Sequence, residues 1–192
     1  MKVAFAFAAA VVAAVALPAQ AQMRTDPAII AEQKEAMAKL AKLHGEWRGS
    51  ATLISREGTR RLVQTERVGP MLDGTLLVIE GRGYEEDGTL SFNAFATISY
   101  DAATDQYAFN SWSDGRYGKF PLTVTADGFE WSIPMPNGAM IAYRATVADG
   151  KWSETGTFKG GDGMPSFDFV KLSVDRIGDS AWPGAGFLPP KP

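Results

Sequence analysis

Residues 127–150 read DGFEWSIPMPNGAMIAYRATVADG, and their pattern decides the fold. Asp127-Gly128, Asn137-Gly138 and Asp149-Gly150 are turn signals, because both partners tolerate the positive φ that tight hairpins demand. Between them, Phe129, Trp131 and Ile133 alternate with Glu130 and Ser132, and Ile141, Tyr143, Ala145 and Val147 oppose Arg144 and Thr146. A period of two with aromatic and β-branched residues is the mark of a half-buried strand. The same signature recurs outward from this hairpin. Further turn signals stand at Glu57-Gly58, Asp73-Gly74, Asp87-Gly88, Asp114-Gly115 and Asp162-Gly163, with strand-like segments such as 92–100, 107–112 and 117–124 between them. About nine or ten strands joined by short turns, with no helical crossover, predict an all-β antiparallel meander. A long open meander leaves two exposed edges, so up-and-down connectivity favours closure into a barrel.

The chain before this region differs in kind. All 20 glycines of the 192 residues lie at 45–192, leaving an alanine-rich start. Residues 1–21 have the form of an export signal: Lys2, an apolar run from Val3 to Leu17, and the small-x-small cleavage site Ala19-Gln20-Ala21. The run is too short to span a membrane, which takes about 20 residues. Cleavage removes 21 of 192 residues and leaves 171, enough for one domain, which is expected to be periplasmic or secreted. Residues 22–44 form a helical segment. Thr25-Asp26-Pro27 opens it, and Ile29, Ala36, Leu40, Leu43 and Trp47 share one face, so a helix of about four turns is expected to end near His44-Gly45. The barrel domain is placed at 45–178. A Pro/Gly-rich tail at 179–192 is expected to lie against it through Trp182 and Phe187.

Gly45-Glu46-Trp47, directly after the helix and opening the first strand, resembles the start of calycin-superfamily barrels, the lipocalins and their relatives. The ordered set Gly45, Trp47, Gly49, then Leu72–Leu76, Tyr100-Asp101 before Tyr107, and Trp112-Ser113-Asp114 is similar to one calycin-like branch of exported bacterial proteins, mostly domains of unknown function. The resemblance implies a tryptophan, Trp47, plugging the closed end, and a final-strand arginine, Arg176, packed over its ring. It departs from the lipocalins in having no cysteine, and therefore no disulfide. Nitrobindin-like barrels hold haem through a histidine near the chain end; here the single histidine is His44, so haem chemistry does not carry over.

The residue inventory narrows the chemistry. Without Lys2 the balance is 18 basic against 22 acidic residues, which argues against a general nucleic-acid binder. With one histidine and no cysteine, a nucleophile–His–acid set has only His44, at the plugged end, where a histidine favourably placed against a helix dipole is the plain alternative. Zinc wants more Cys or His ligands than the chain offers. No cofactor is implied. The Gly160-Gly161-Asp162-Gly163 stretch reads as a hairpin and not as a phosphate cradle.

The barrel interior remains. Parity puts Trp47, Gly49, Ala51 and Leu53 on one inward face, and Trp152, Glu154, Gly156 and Phe158 on another. If Arg176 points inward, Val174, Leu172, Val170 and Asp168 follow; Glu66 shares a face with Leu62, Gln64 and Val68. Carboxylates on apolar faces need a partner, the water at a mouth, or a polar ligand group. The candidate ligand-binding residues are thus Leu53, Glu66, Trp131, Tyr143, Glu154, Phe158 and Asp168, with Gly45, Trp47 and Arg176 closing the barrel end. Parity does not assign the strands holding Phe92, Phe95, Phe109 and Trp112. The expected function is an exported protein that binds a small, apolar or amphipathic molecule without catalysis, with no integral membrane segment. Two alternatives stand beside it: an enzyme using interior carboxylates as acid or base, and a filled barrel acting as an envelope accessory or partner-binding protein.

Overall fold

A computed structural model describes residues 26–180 and Trp182; residues 1–21, expected to be an export signal, and Phe187 lie outside the described residues. Helix α1, Pro27–Ala38, starts where the Asp26 carboxylate accepts the Ala28 N–H at 2.9 Å and Pro27 takes a first-turn position. It is shorter than the sequence periodicity implies. The Lys39 and Leu40 amides bond to Ala36 and Met37, three residues back, and a separate 3₁₀ turn covers Ala41–Leu43. This break swings Leu40 and Leu43 together under the barrel, where both are fully buried, and delivers His44 in an extended conformation to the first strand. Ile29, on the expected core face, is instead 47% exposed.

Ten strands follow: β1 Gly45–Ser55, β2 Gly58–Met71, β3 Leu76–Tyr84, β4 Leu90–Asp101, β5 Gln106–Ser113, β6 Arg116–Val124, β7 Gly128–Pro134, β8 Met140–Ala148, β9 Lys151–Lys159 and β10 Phe167–Gly178. Each pairs antiparallel with its chain neighbours, and β10 pairs with β1, so the sheet is a closed up-and-down barrel without a free edge. Eight of the nine connections carry the turn signals read from the sequence. Asp114-Gly115 and Asp149-Gly150 are two-residue turns with positive φ at both positions, the twist that matches antiparallel strands. The ninth, between β4 and β5, has no glycine; Asp105 itself adopts φ 53° there.

The hydrophobic core is gathered at one end. Met37, Leu40 and Leu43 press against Trp47, Val68, Leu77, Ile98 and Val174, and the helix is tied on by bonds from Tyr107 Oη to the Ala36 carbonyl (2.8 Å) and Gln33 Nε2 to the Tyr100 carbonyl (3.2 Å). No described helix is long and apolar enough to cross a membrane.

Candidate functional site

Trp47 is 1% exposed and its indole N–H donates to the Leu43 carbonyl at 2.9 Å. Trp152 meets it edge-on at 5.9 Å, and Phe129 meets Trp152 at 6.1 Å. These three rings make a floor. Above it lies a cavity of about 630 Å³ that opens at the end opposite the helix. The space exists because inward positions around the wall are small: Ala51, Gly81, Ala94, Ala96, Ser111 and Gly118. The interior is therefore hollow and not filled by side chains.

Five of the seven candidate residues, Leu53, Glu66, Trp131, Tyr143 and Glu154, come together on its wall. Trp131 and Tyr143 oppose each other across the β7–β8 pair and stack face to face at 4.0 Å. Phe158 and Asp168 do not join them. Phe158 lies one inward step beyond Gly156, towards the open end, where its ring packs on Phe167 at 5.3 Å. Asp168 points outward; it accepts from Thr157 Oγ1 at 2.8 Å and pairs with Lys171 at 3.2 Å, which hold its carboxyl below the usual range. The cause is a bulge in β10. The register with β9 slips between Asp168 and Val170, so Phe169 and Val170 both face the cavity and the parity that placed Asp168 inside is broken there.

The two remaining carboxylates are the unusual feature. Glu66 is only 9% exposed, accepts from Gln64 Nε2 at 2.7 Å, and lies against Gly81 of β3, where a Cβ would come within 2.7 Å of its Oε2. Burial raises its pKa to about 8, opposed by the Gln64 bond and reinforced by the charges of Glu154 and Glu80. Glu154 accepts a 3.4 Å bond from Trp131 Nε1, and burial raises its pKa to about 7. Trp152 Nε1 is close enough to Glu154 to oppose that rise, yet lies outside bonding geometry and has no hydrogen-bond partner. Tyr143 is pushed up to about 12 by burial and by Glu154, so its hydroxyl keeps its proton.

At the closed end, Arg176 stands opposite Trp47 in the β1–β10 register. Its guanidinium does not stack on the indole. Nε donates to the His44 carbonyl at 3.2 Å and another nitrogen pairs with Asp179, while a Cβ at Gly45 would meet Nε at 2.8 Å. Gly45, at φ 137°, is needed for both the angle and the close approach. The cation–π pair among the described residues is Arg67 on Trp182, 4.0 Å, on the outside of the barrel. His44 lies in a crevice between α1 and the β2–β3 turn, and burial lowers its pKa, opposite to the effect of a helix C-terminus.

The wall also includes Gln64, Phe92, Phe109, Arg116, Phe120 and Phe169, which were not among the sequence candidates. Gln64 shares its face with Glu66, so parity already carried that signal. Phe92 and Phe109 turn inward while Phe95 and Trp112 pack together outside at 5.9 Å; only the register with β3 and β6 settles which. Phe169 needs the bulge, for which the sequence holds no turn residue.

A closed ten-stranded meander with a plugged floor and an aromatic-walled chamber is the class of protein that these features define. No family model matches the chain, and no curated protein does. Among solved structures, the crystal structure of Rv2717c from M. tuberculosis is similar with a TM-score of 0.54 and 11% sequence identity, covering 76% of this chain and 97% of that one. At that identity the likeness is one of fold alone.

Proposed function

We propose that this protein is exported and binds a small, mostly apolar molecule inside its barrel. The observation that carries the reading is the chamber itself, about 630 Å³ and open at one end, walled by Phe92, Phe109, Phe120, Trp131, Tyr143 and Phe169. Ligand pockets of this size are concave, chiefly apolar and equipped with a few convergent polar groups, and here Glu66, Gln64 and Glu154 supply those groups. The resemblance to calycin-like exported barrels and the export signal at residues 1–21 support the same reading. Native mass spectrometry of protein purified from its own host is expected to show a co-purified mass lost on denaturation. In a folded Trp131→Ala variant that mass is expected to be depleted. Retention at wild-type stoichiometry removes Trp131 from the pocket, and a consistently empty barrel counts against the reading.

One observation favours a second reading. Two carboxyl groups with raised pKa share one cavity, an arrangement suited to general acid–base chemistry. Under that reading Glu66→Gln and Glu154→Gln abolish a turnover; under the first they only shift affinity.

A further inference from the structure

We infer that the ligand presents a protonated amine to the floor of the barrel, seated between Glu66 and Glu154, with its apolar body against the stacked Trp131–Tyr143 pair. This rests on the ligand-binding reading above and names the chemical class that the site takes.

Every polar contact at the floor is from a donor that carries no charge. Gln64 Nε2 donates to Glu66, and Trp131 Nε1 donates to Glu154. Among the described residues, neither carboxylate has a lysine or arginine within ion-pairing distance. The cations flanking Glu66 on β2 and β3, Arg67 and Arg82, are on the outer face and both are bonded to Glu80, while Lys151, nearest to Glu154 in the chain, pairs with Asp175. Arg116, the cavity's one cationic lining residue, belongs to the β5–β6 hairpin end at the mouth. The floor thus has two acids and no resident counter-ion.

A second observation points to an occupant. Trp152 is 3% exposed and lines the cavity, yet its indole N–H is unpartnered. A buried donor left unmade costs about 1–3 kcal/mol, so such groups are usually satisfied by something. A ligand that draws Glu154 into its ionised form gives this N–H an acceptor of full charge. Trp131, Tyr143, Phe169 and Phe120 add the remaining element: Tyr143 and Phe169 meet edge-on at 5.9 Å, and Phe120 lies 5.5 Å from Trp131. Aromatic faces beside carboxylates are the surroundings in which an ammonium is held, through cation–π attraction as well as charge. An anionic head group would meet two acids there instead. On binding, a carboxyl that is neutral in the empty barrel releases its proton to solvent and pairs with the ammonium, so charge balances inside the cavity.

The test uses the purified chain at pH 7 with matched decyl and naphthylmethyl series, each as primary amine, alcohol and carboxylic acid, followed by tryptophan fluorescence. The amine of either series is expected to bind at least ten-fold more tightly than its alcohol, and the acid more weakly than both. In Glu66→Gln/Glu154→Gln the preference for the amine over its alcohol is expected to fall below three-fold, whatever the absolute affinities. The single Glu154→Gln variant, checked for a cooperative melt, serves if the double variant does not fold, and should lose at least half of the preference in logarithmic terms. An alcohol that binds as tightly as its amine, or a preference that survives the substitutions, overturns the amine assignment and leaves ligand binding standing. If no member of either series binds, the binding reading itself fails.

Discussion

Replacing Glu66 by glutamine should change how stability depends on pH, and in a calculable direction. In the folded protein its pKa is about 8, against 4.5 for an unperturbed glutamate. Between those values the folded chain holds a proton that the unfolded chain has released, so stability falls as pH rises through the window. The full contribution of Glu66 is present below pH 4.5 and is lost above pH 8. At about 1.4 kcal/mol per pH unit, the separation sets a ceiling of about 5 kcal/mol for this one group. Water in the cavity screens the charge, and Glu154 shares the repulsion, so about 2 kcal/mol is the expected yield. Glutamine keeps the shape and cannot ionise. Urea denaturation at pH 5 and pH 8.5 should show wild type losing about 2 kcal/mol more than Glu66→Gln between the two pH values. Groups outside the cavity titrate alike in both proteins and cancel. Parallel pH profiles would refute the claim that Glu66 is buried without a counter-ion.

Other perturbations separate the floor from the wall. Trp47→Ala should cost about 3–5 kcal/mol in chemical denaturation, because the ring fills the barrel end and no neighbour can close over the gap. Asp168→Asn should leave ligand affinity within two-fold and cost under about 1 kcal/mol, since the group is outside and paired only with Lys171 and Thr157. Gly81→Ala should fold, because the atom it meets is the movable end of Glu66, but amine affinity measured by fluorescence should fall at least five-fold as that carboxylate is displaced.

The hairpin register was legible because its causes are local. Asp114-Gly115 and Asp149-Gly150 dictate two-residue turns, and within β2, β7, β8 and β9 the alternation of apolar with polar residues marks the inward face. That is why Trp131, Tyr143, Glu66 and Glu154 could be placed on inward faces from the sequence, while β4 and β5, aromatic on both faces, could not be assigned. The errors are all non-local. Asp168 went outside because β10 gains a residue against β9, a feature made by packing two strands and not by any turn residue. Arg176 left the indole because His44 offers a carbonyl only once the 3₁₀ turn has bent the chain over the barrel end. The same bend shortened α1: Leu40 and Leu43 are spaced as on a continuous helix, but burying both against Trp47 takes a change of direction.

The two ends of the barrel treat polar groups differently, and the contrast bears on function more than the cavity volume does. At the floor's underside, Trp47 gives its N–H to the Leu43 carbonyl, so this buried donor has its partner. Further into the chamber, the Trp152 N–H stands beside Glu154 without a hydrogen bond of proper geometry, and two glutamates lack a cation. A barrel selected only to be stable would replace these groups with apolar side chains, since a buried polar group without its full set of partners costs stability whether it is neutral or ionised. The site retains them beside a wall of aromatic rings and an opening to solvent. The instability is local, confined to the surface that a guest would cover. It is best understood as the unliganded half of an interaction whose other half carries positive charge.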